Sequence, residues 1–496
     1  MSRLLYIITI FFIPLISFGQ QEAGKVQVQI KRLKDASIAT DGEDNIAYVF
    51  RNKKQYQLTL MDKNFNTQKN YVINSPKFKR SEVIISTILQ DNSVIVHLFD
   101  EKSHQFSRLH LNFSTGSHTF KPTGELHRSE LFLSSFEMGE KFYVLTLPYG
   151  ENTIRLYSSE GGKPFSIEDY HVEYEHLNQV LVKAYKQSDS KLPLQKVGFT
   201  LENNIRSVHS KNKVYAKDSI ITLTMDQPDM THLITINTQA KSHSYKKLKF
   251  SIEKGSLAPS KQGNSFIHNG TFFRLTASPE QLNISVINLD SMELINNYNV
   301  FPDEELDINN GPILVESVGG GFSGDEKVIN KTPRFFKHLM SGEVAIAVNQ
   351  IDSIHHEIQV GAYQETIIRT NPYHGGGMGM SFGFGGFAGP MMMGGGPAFY
   401  SPMGAGFGWP GYYPAYGHAQ KRVRVVYFRS LMGNTYFDHQ EGLVPKTLAQ
   451  KIKDYELGAF RNRTPSHMNI FSLEDRTVLG YYVKGKSMYR LVEFIK

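Results

Sequence analysis

The residues best suited to chemistry lie in one stretch. Between His374 and His418 the chain carries six methionines framed by two histidines. Thioether sulfur and imidazole nitrogen suit soft cations, so His374, Met378, Met380, Met391, Met392, Met393 and His418 form a candidate Cu(I) set. Their spacings are irregular, and methionine is equally a flexible apolar filler. The same stretch holds Phe382, Phe384, Phe387, Trp409, Tyr412 and Tyr413. Left uncovered, these rings would expose a large apolar area, which makes them a candidate face for a protein, a membrane surface or another copy of the chain. The stretch lacks Asp, Glu, Lys and Arg altogether and includes 16 glycines. Backbone that rich in glycine is costly to order and buries little. A disordered, low-complexity Gly/Met/aromatic insertion over 371–420 is therefore predicted.

Other groupings are weaker. His355 and His356 precede Glu357, but on a strand adjacent side chains point to opposite faces and cannot easily share an ion. Asp438, His439 and Glu441 fall in a turn. Asp303, Glu304, Glu305 and Asp307 make an acidic loop without the spacing of a calcium-binding loop. The glycine runs at 319–321 and 375–377 lack the Lys-Ser/Thr of a phosphate loop, so no cofactor is expected. There is no cysteine, which excludes disulfides, thiolate metal sites and a cysteine nucleophile. No serine sits in a G-x-S-x-G elbow. A carboxylate pair for glycan cleavage depends on separation in space and stays open.

The glycine-rich stretch is flanked by two matching arms, Ile354–Ile368 and Arg422–Tyr436, rich in β-branched and aromatic residues. They predict one long hairpin with the insertion at its tip. Elsewhere short apolar segments alternate with Asn/Asp/Gly/Ser/Lys turns, as antiparallel meanders require. Anchor strands recur near Tyr48, Val96, Tyr143, Ile221, Phe273, Ala345, Val425 and Tyr482. The shorter gaps approach the repeat of a four-stranded propeller blade, roughly 40–50 residues. The longer gaps contain extra material: Ser166–Gly198, Pro302–Phe336 and the insertion. The expected fold is all-β and propeller-like, with about seven blades and six or eight as neighbouring counts. Ser265–Ser278 reads as one strand and Pro302–Ser323 as a long loop. Tyr174–Gln187 and Thr447–Tyr455 read as short helices, the second capped by Thr447.

The chain opens with Arg3, an apolar run from Leu4 to Phe18, and small residues Ser17 and Gly19. This is the layout of a secretory leader over 1–19, cleaved before Gln20, with no transmembrane span afterwards. Its end, SFGQQ, resembles leaders of exported Bacteroidota proteins. The C-terminal residues lack the glycine-rich strand pattern of a type IX sorting domain, so the resemblance implies a periplasmic or outer-membrane-associated protein more than a fully secreted one. The net charge of +7 is spread along the chain without a basic stripe over stacking aromatics, so nucleic acid is not an expected partner.

Together these features predict an exported, non-enzymatic binding or scaffold protein of the cell envelope. It would contact a protein or glycan partner through blade loops and the insertion. A propeller-fold glycan hydrolase or lyase is the alternative, and a periplasmic soft-metal binder a second one.

Overall fold

The computed structural model describes residues 21–41, 44–75, 82–100, 102–139, 141–161, 163–188, 192–199, 202–250, 261–318, 326–369, 419–459, 466–473 and 476–495. Within them the strands form seven sheets, each of four or five strands, which follow one another as the blades of a β-propeller.

Blade one comprises Asp35–Thr40, Asn45–Arg51, Gln55–Asp62 and Thr67–Asn74, paired in that order from the axis outward. Its second strand is buried along nearly its whole length, whereas its outermost strand is mostly exposed. That gradient is the physics of a blade. Middle strands pack against neighbouring blades on both faces, and the outer one meets water. Blade two (Glu82–Gln90, Ser93–Asp100, Gln105–Asn112, His118–Glu125) and blade three (Glu130–Met138, Lys141–Pro148, Thr153–Glu160, Ser166–His171) repeat the plan. In blade two the first hairpin turns on Asp91 and Asn92, both with positive φ (48° and 58°), as a two-residue hairpin turn demands.

Blade four adds a fifth strand. Gln195–Val197 runs parallel beside Asn212–Lys217, on the axial side of the sheet completed by Ile220–Asp226, Met230–Asn237 and Ser242–Lys249. Blade five is Gln262–His268, Thr271–Ala277, Leu282–Asn288 and Leu294–Val300. The expected single strand Ser265–Ser278 is thus a hairpin. Asn269 and Gly270 take φ of 44° and 78° and turn the chain between its first two strands. An Asn-Gly pair is the strongest short hairpin signal, and it outweighs the continuous apolar pattern around it.

Blade six is assembled out of order. From the axis it runs Glu343–Gln350, His355–Arg369, Ala419–Gly433, Ile313–Val318 and Glu326–Ile329. The expected long loop Pro302–Ser323 therefore contains a strand, Ile313–Val318, which serves as the blade's fourth strand. The two expected ribbon arms do pair, in continuous register from His355↔Gly433 to Arg369↔Ala419. The eight anchor strands also resolve into seven blades here, because Ala345 and Val425 belong to the same sheet.

Blade seven closes the ring. Ser466–Ser472, Arg476–Val483 and Met488–Ile495 are joined by Gln21–Gln27, which pairs with the last strand of the chain. Apolar clusters shared between adjacent blades fill the seams from blade seven round to blade six. On its other face blade seven packs on a helix, Leu448–Ala459, whose Ile452 joins Ile470, Leu479, Tyr481, Val492 and Phe494. Thr447 caps this helix, its hydroxyl accepting from the Gln450 amide at 3.3 Å while the Gln450 side chain receives the Thr447 amide. The other expected helix is Leu177–Gln187. Thr332–Ser341, between the outer and inner strands of blade six, is a further helix, begun by a proline in its first turn.

Candidate functional site

Two regions of the fold could meet a partner or substrate: the ribbon of blade six and the axial space. The inner strand of blade six pairs with the ribbon only from His356 to Tyr363. Six further pairs, Gln364↔Arg424 to Arg369↔Ala419, continue beyond it. The outer strand reaches only Val423, so the last four pairs lie beyond both neighbours. The sheet is held at its root by close contact: a Cβ added at Gly361 would stand 2.0 Å from the Val426 carbonyl oxygen and 2.7 Å from the Tyr427 Cβ. The ribbon thus leaves the blade as a two-stranded arm and delivers residues 370–418. Phe382, Phe384, Phe387, Trp409, Tyr412, Tyr413 and the candidate ligands His374, Met378, Met380, Met391, Met392, Met393 and His418 all lie in 370–418, outside the described residues.

Near the axis, the chain between the first two strands of blade four crosses to blade six. The Asn203 amide donates to the Asn349 side chain at 2.6 Å, and the Asn349 side-chain amide donates back to the Asn203 carbonyl at 2.8 Å. A single helical turn follows, Ile205–Val208, opened by a capping box between Asn204 and Ser207. Ile205 and Val208 are buried in the core shared by blades four, five and six. The segment ends where the His209 ring stacks flat on Tyr363, centroids 3.8 Å apart, and the Asn264 side chain of blade five donates to the His209 carbonyl at 3.2 Å. Residues 203–209 therefore run along the innermost strands of blade six.

This crossing brings two carboxylates near each other. Glu202 accepts the Ala449 amide at 3.0 Å, at the start of the helix Leu448–Ala459. Burial, together with the nearby charge of Glu357, raises its pKa above the usual carboxylate range despite that bond. Glu357 is fully buried and is bound by Arg429, by the Asn349 side chain at 3.1 Å and by Gln359 at 3.1 Å. Both are occupied by structural partners: one completes a helix terminus, and the other anchors Arg429, which also holds the Val444 and Pro445 carbonyls.

The adjacent histidines separate as a strand requires. His355 turns outward to Asp352 (2.9 Å), while His356 is buried against His268 and Phe437. Asp438 binds Gln440, and His439 meets the Asn310 side chain at 3.0 Å. Among the described residues no three His, Asp or Glu gather as a metal site.

The seams carry ionic clusters instead. Between blades four and five, Asp226 pairs with Arg274 at 2.9 Å and with Lys213 at 3.4 Å, all three side chains fully buried. Burial alone would raise the Asp226 pKa, but the two cations and the hydroxyls of Thr231 and Ser265 hold it below the usual range. Burial lowers Lys213 to about 8 against the pull of Asp226. Between blades one and two, Arg51 binds Asp35 at 2.6 Å and the Glu82 carbonyl at 2.5 Å, and the Tyr56 hydroxyl donates to Glu82 at 3.0 Å. These groups bind one another across the seams, as blade-to-blade fastenings.

No family model matches the chain, and no curated protein sequence matches it. Solved structures similar to it include a protein from Lactobacillus plantarum, at TM-score 0.28 and 7% identity over 65% of this chain and 79% of that one. Another is the Dos1 propeller, at 0.29 and 10% identity over 66% and 65%. A prolyl endopeptidase matches at 0.30 and 8% identity, where the aligned region spans 67% of this chain but about half, 52%, of the other. Likeness at this level carries no argument, and the propeller reading stands on the seven sheets and their order.

Sequence reasoning located the ribbon and weighed Glu357 only beside the paired histidines, and it missed Glu202 and Asn203. Their signal exists only in space, because the partners come from blades four and six and from the helix before blade seven. The one local trace was the Asn204–Ser207 capping pair ahead of Ile205.

Proposed function

We propose that this protein is an exported β-propeller of the bacterial envelope, periplasmic or outer-membrane-associated, that works by binding. It holds a protein or glycan partner through its blade loops and the Gly/Met/aromatic insertion of blade six. The observation that carries this reading is the division between the two regions. The ribbon continues past its neighbours and leads into residues 370–418, while residues 203–209 are bound along blade six by the protein's own side chains. The commitment of Glu202 and Glu357 to structural partners supports binding over glycan cleavage. The described ladder begins at Gln21, so removal of a leader before Gln20 leaves every blade intact. Among the described residues no helix is long and apolar enough to cross a membrane.

The test is a quantitative capture from an envelope extract, comparing the mature protein with a variant in which 370–418 is replaced by a short Gly-Ser turn. The expected result is a saturable partner lost with the insertion. Equal capture by both proteins overturns the proposal. Stoichiometric Cu(I) uptake that disappears with the insertion would replace it with the metal-binding reading.

A further inference from the structure

Six cations from three separate stretches of the sequence meet at one end of the ring. Lys31 and Arg32 lie in the chain that leads from the outer strand of blade seven, Gln21–Gln27, to the inner strand of blade one, Asp35–Thr40. Lys53 and Lys54 belong to the turn between the second and third strands of blade one, and Lys484 and Lys486 to the corresponding turn of blade seven. Backbone and side-chain bonds lace the three segments together. The Asn52 side chain donates to the Lys31 carbonyl at 3.0 Å, the Lys34 amide to the Arg51 carbonyl at 2.7 Å and the Val28 amide to the Ser487 carbonyl at 2.9 Å. All six cations are exposed, and among the described residues none of them forms an ion pair.

Two observations say what such a surface meets. In blade six the ribbon extends from the connection between the second and third strands, so the arm leaves the ring at the same end as the cations. Residues 370–418, which follow it in sequence, carry aromatic rings and methionines and no Asp, Glu, Lys or Arg. Cations without counter-ions, on the same end as an uncharged ring-rich stretch, match the boundary of an anionic bilayer, where lysine and arginine meet headgroup phosphates and rings meet the acyl region. Segments 28–34, 51–55 and 483–487 contain no aromatic residue on which bases could stack, which counts against single-stranded nucleic acid.

We propose that this end of blades seven and one docks on an anionic phospholipid surface, with Lys31, Arg32, Lys53, Lys54, Lys484 and Lys486 as its contacts. The docking rests on the export reading for access to such a surface, and it is independent of any partner held by 370–418.

The test is co-sedimentation of the mature protein with vesicles of phosphatidylcholine alone and of phosphatidylcholine mixed equally with phosphatidylglycerol. These contain no protein or glycan, so the outcome is separate from capture of a partner. Binding to the anionic vesicles should exceed binding to the neutral ones and fall away between about 0.1 M and about 1 M salt, as the screening length shrinks from about 10 Å to about 3 Å. At about fivefold per cation, Lys54→Gln with Lys486→Gln should weaken it about 25-fold. Lys246→Gln with Lys247→Gln, the same loss of charge on the exposed outer strand of blade four, should weaken it less than about twofold. The variant lacking 370–418 should keep the salt-sensitive component. Equal binding to both vesicles, equal weakening by the two double variants, or loss of the salt-sensitive component with 370–418 overturns the proposal. Binding to soluble polyphosphate without binding to vesicles overturns it as well.

Discussion

In blades one to three the four strands of each sheet follow one another directly along the chain. Blade six takes its outer strands from 313–329, ahead of its innermost strand, and its middle pair from segments separated by 370–418. The charged pairs differ by burial instead. Within blade three Arg155 pairs with the half-exposed Asp169, whereas the seam between blades four and five encloses Asp226, Lys213 and Arg274. The seam between the regular blades one and two is fastened in the same buried way, by Arg51 with Asp35 and Glu82. An insertion tolerated at the tip of a blade needs a paired root, because the local pairing register is all that connects it to the ring.

The largest test of this difference is Asp226→Ala. It leaves two buried cations without their carboxylate and should cost about 3–5 kcal/mol in chemical denaturation. Asp169→Ala in blade three should cost about 0.2–1 kcal/mol, since its pair with Arg155 is solvent-screened. Equal losses would remove the distinction between enclosed and solvent-screened pairs. Next is Gly361→Ala, where the added methyl meets the Val426 carbonyl and the Tyr427 Cβ. A loss of about 1–3 kcal/mol is expected. Gly485→Ala, with nothing within 4 Å of the new carbon, should be close to neutral in the same assay.

A smaller effect is set by pH. Burial lowers His97 to about 3 and His232 to about 4, below the ordinary imidazole value. The unfolded chain therefore binds more protons over this interval, and stability rises with pH there. The contribution of each neutral ring is complete above pH 6.5 and is lost as pH falls toward 4 and 3. The limit is about 1.4 kcal/mol per pH unit and histidine. His97→Phe, which keeps the stacking on Phe142, should flatten the urea midpoint between pH 6.5 and 5 relative to the parent. An unchanged slope would show that His97 does not carry it. The smallest effect is expected from replacing 370–418 by a short turn, which should leave the thermal midpoint within a few degrees, because the ribbon root keeps its partners from 355 to 366.

What the sequence made legible follows the same division. Second and third strands such as Ser93–Asp100 and Lys141–Pro148 are buried on both faces, so their apolar runs stand out. Outer strands such as Thr67–Asn74, Ser242–Lys249 and Leu294–Val300 meet water and carry no comparable pattern, so only the structure reveals them. Gln21–Gln27 and Ile313–Val318 could not be placed by local signals, since each completes a sheet whose other strands are distant in sequence. The ribbon was legible because both arms are long and alternate. The residues at the crossing were not, because Asn203 of blade four and Asn349 of blade six meet only in space.

Ring closure is accordingly the most direct thing to measure. The ladder places Lys25 opposite Arg490. Facing ladder residues lie within disulfide range, and the chain has no cysteine to interfere. In the double variant Lys25→Cys, Arg490→Cys, mild oxidation should give an intramolecular crosslink in nearly all molecules, seen as a reducible gain in gel mobility. Free thiols in the folded protein, or crosslinks only between chains, would contradict the closed seven-bladed ring.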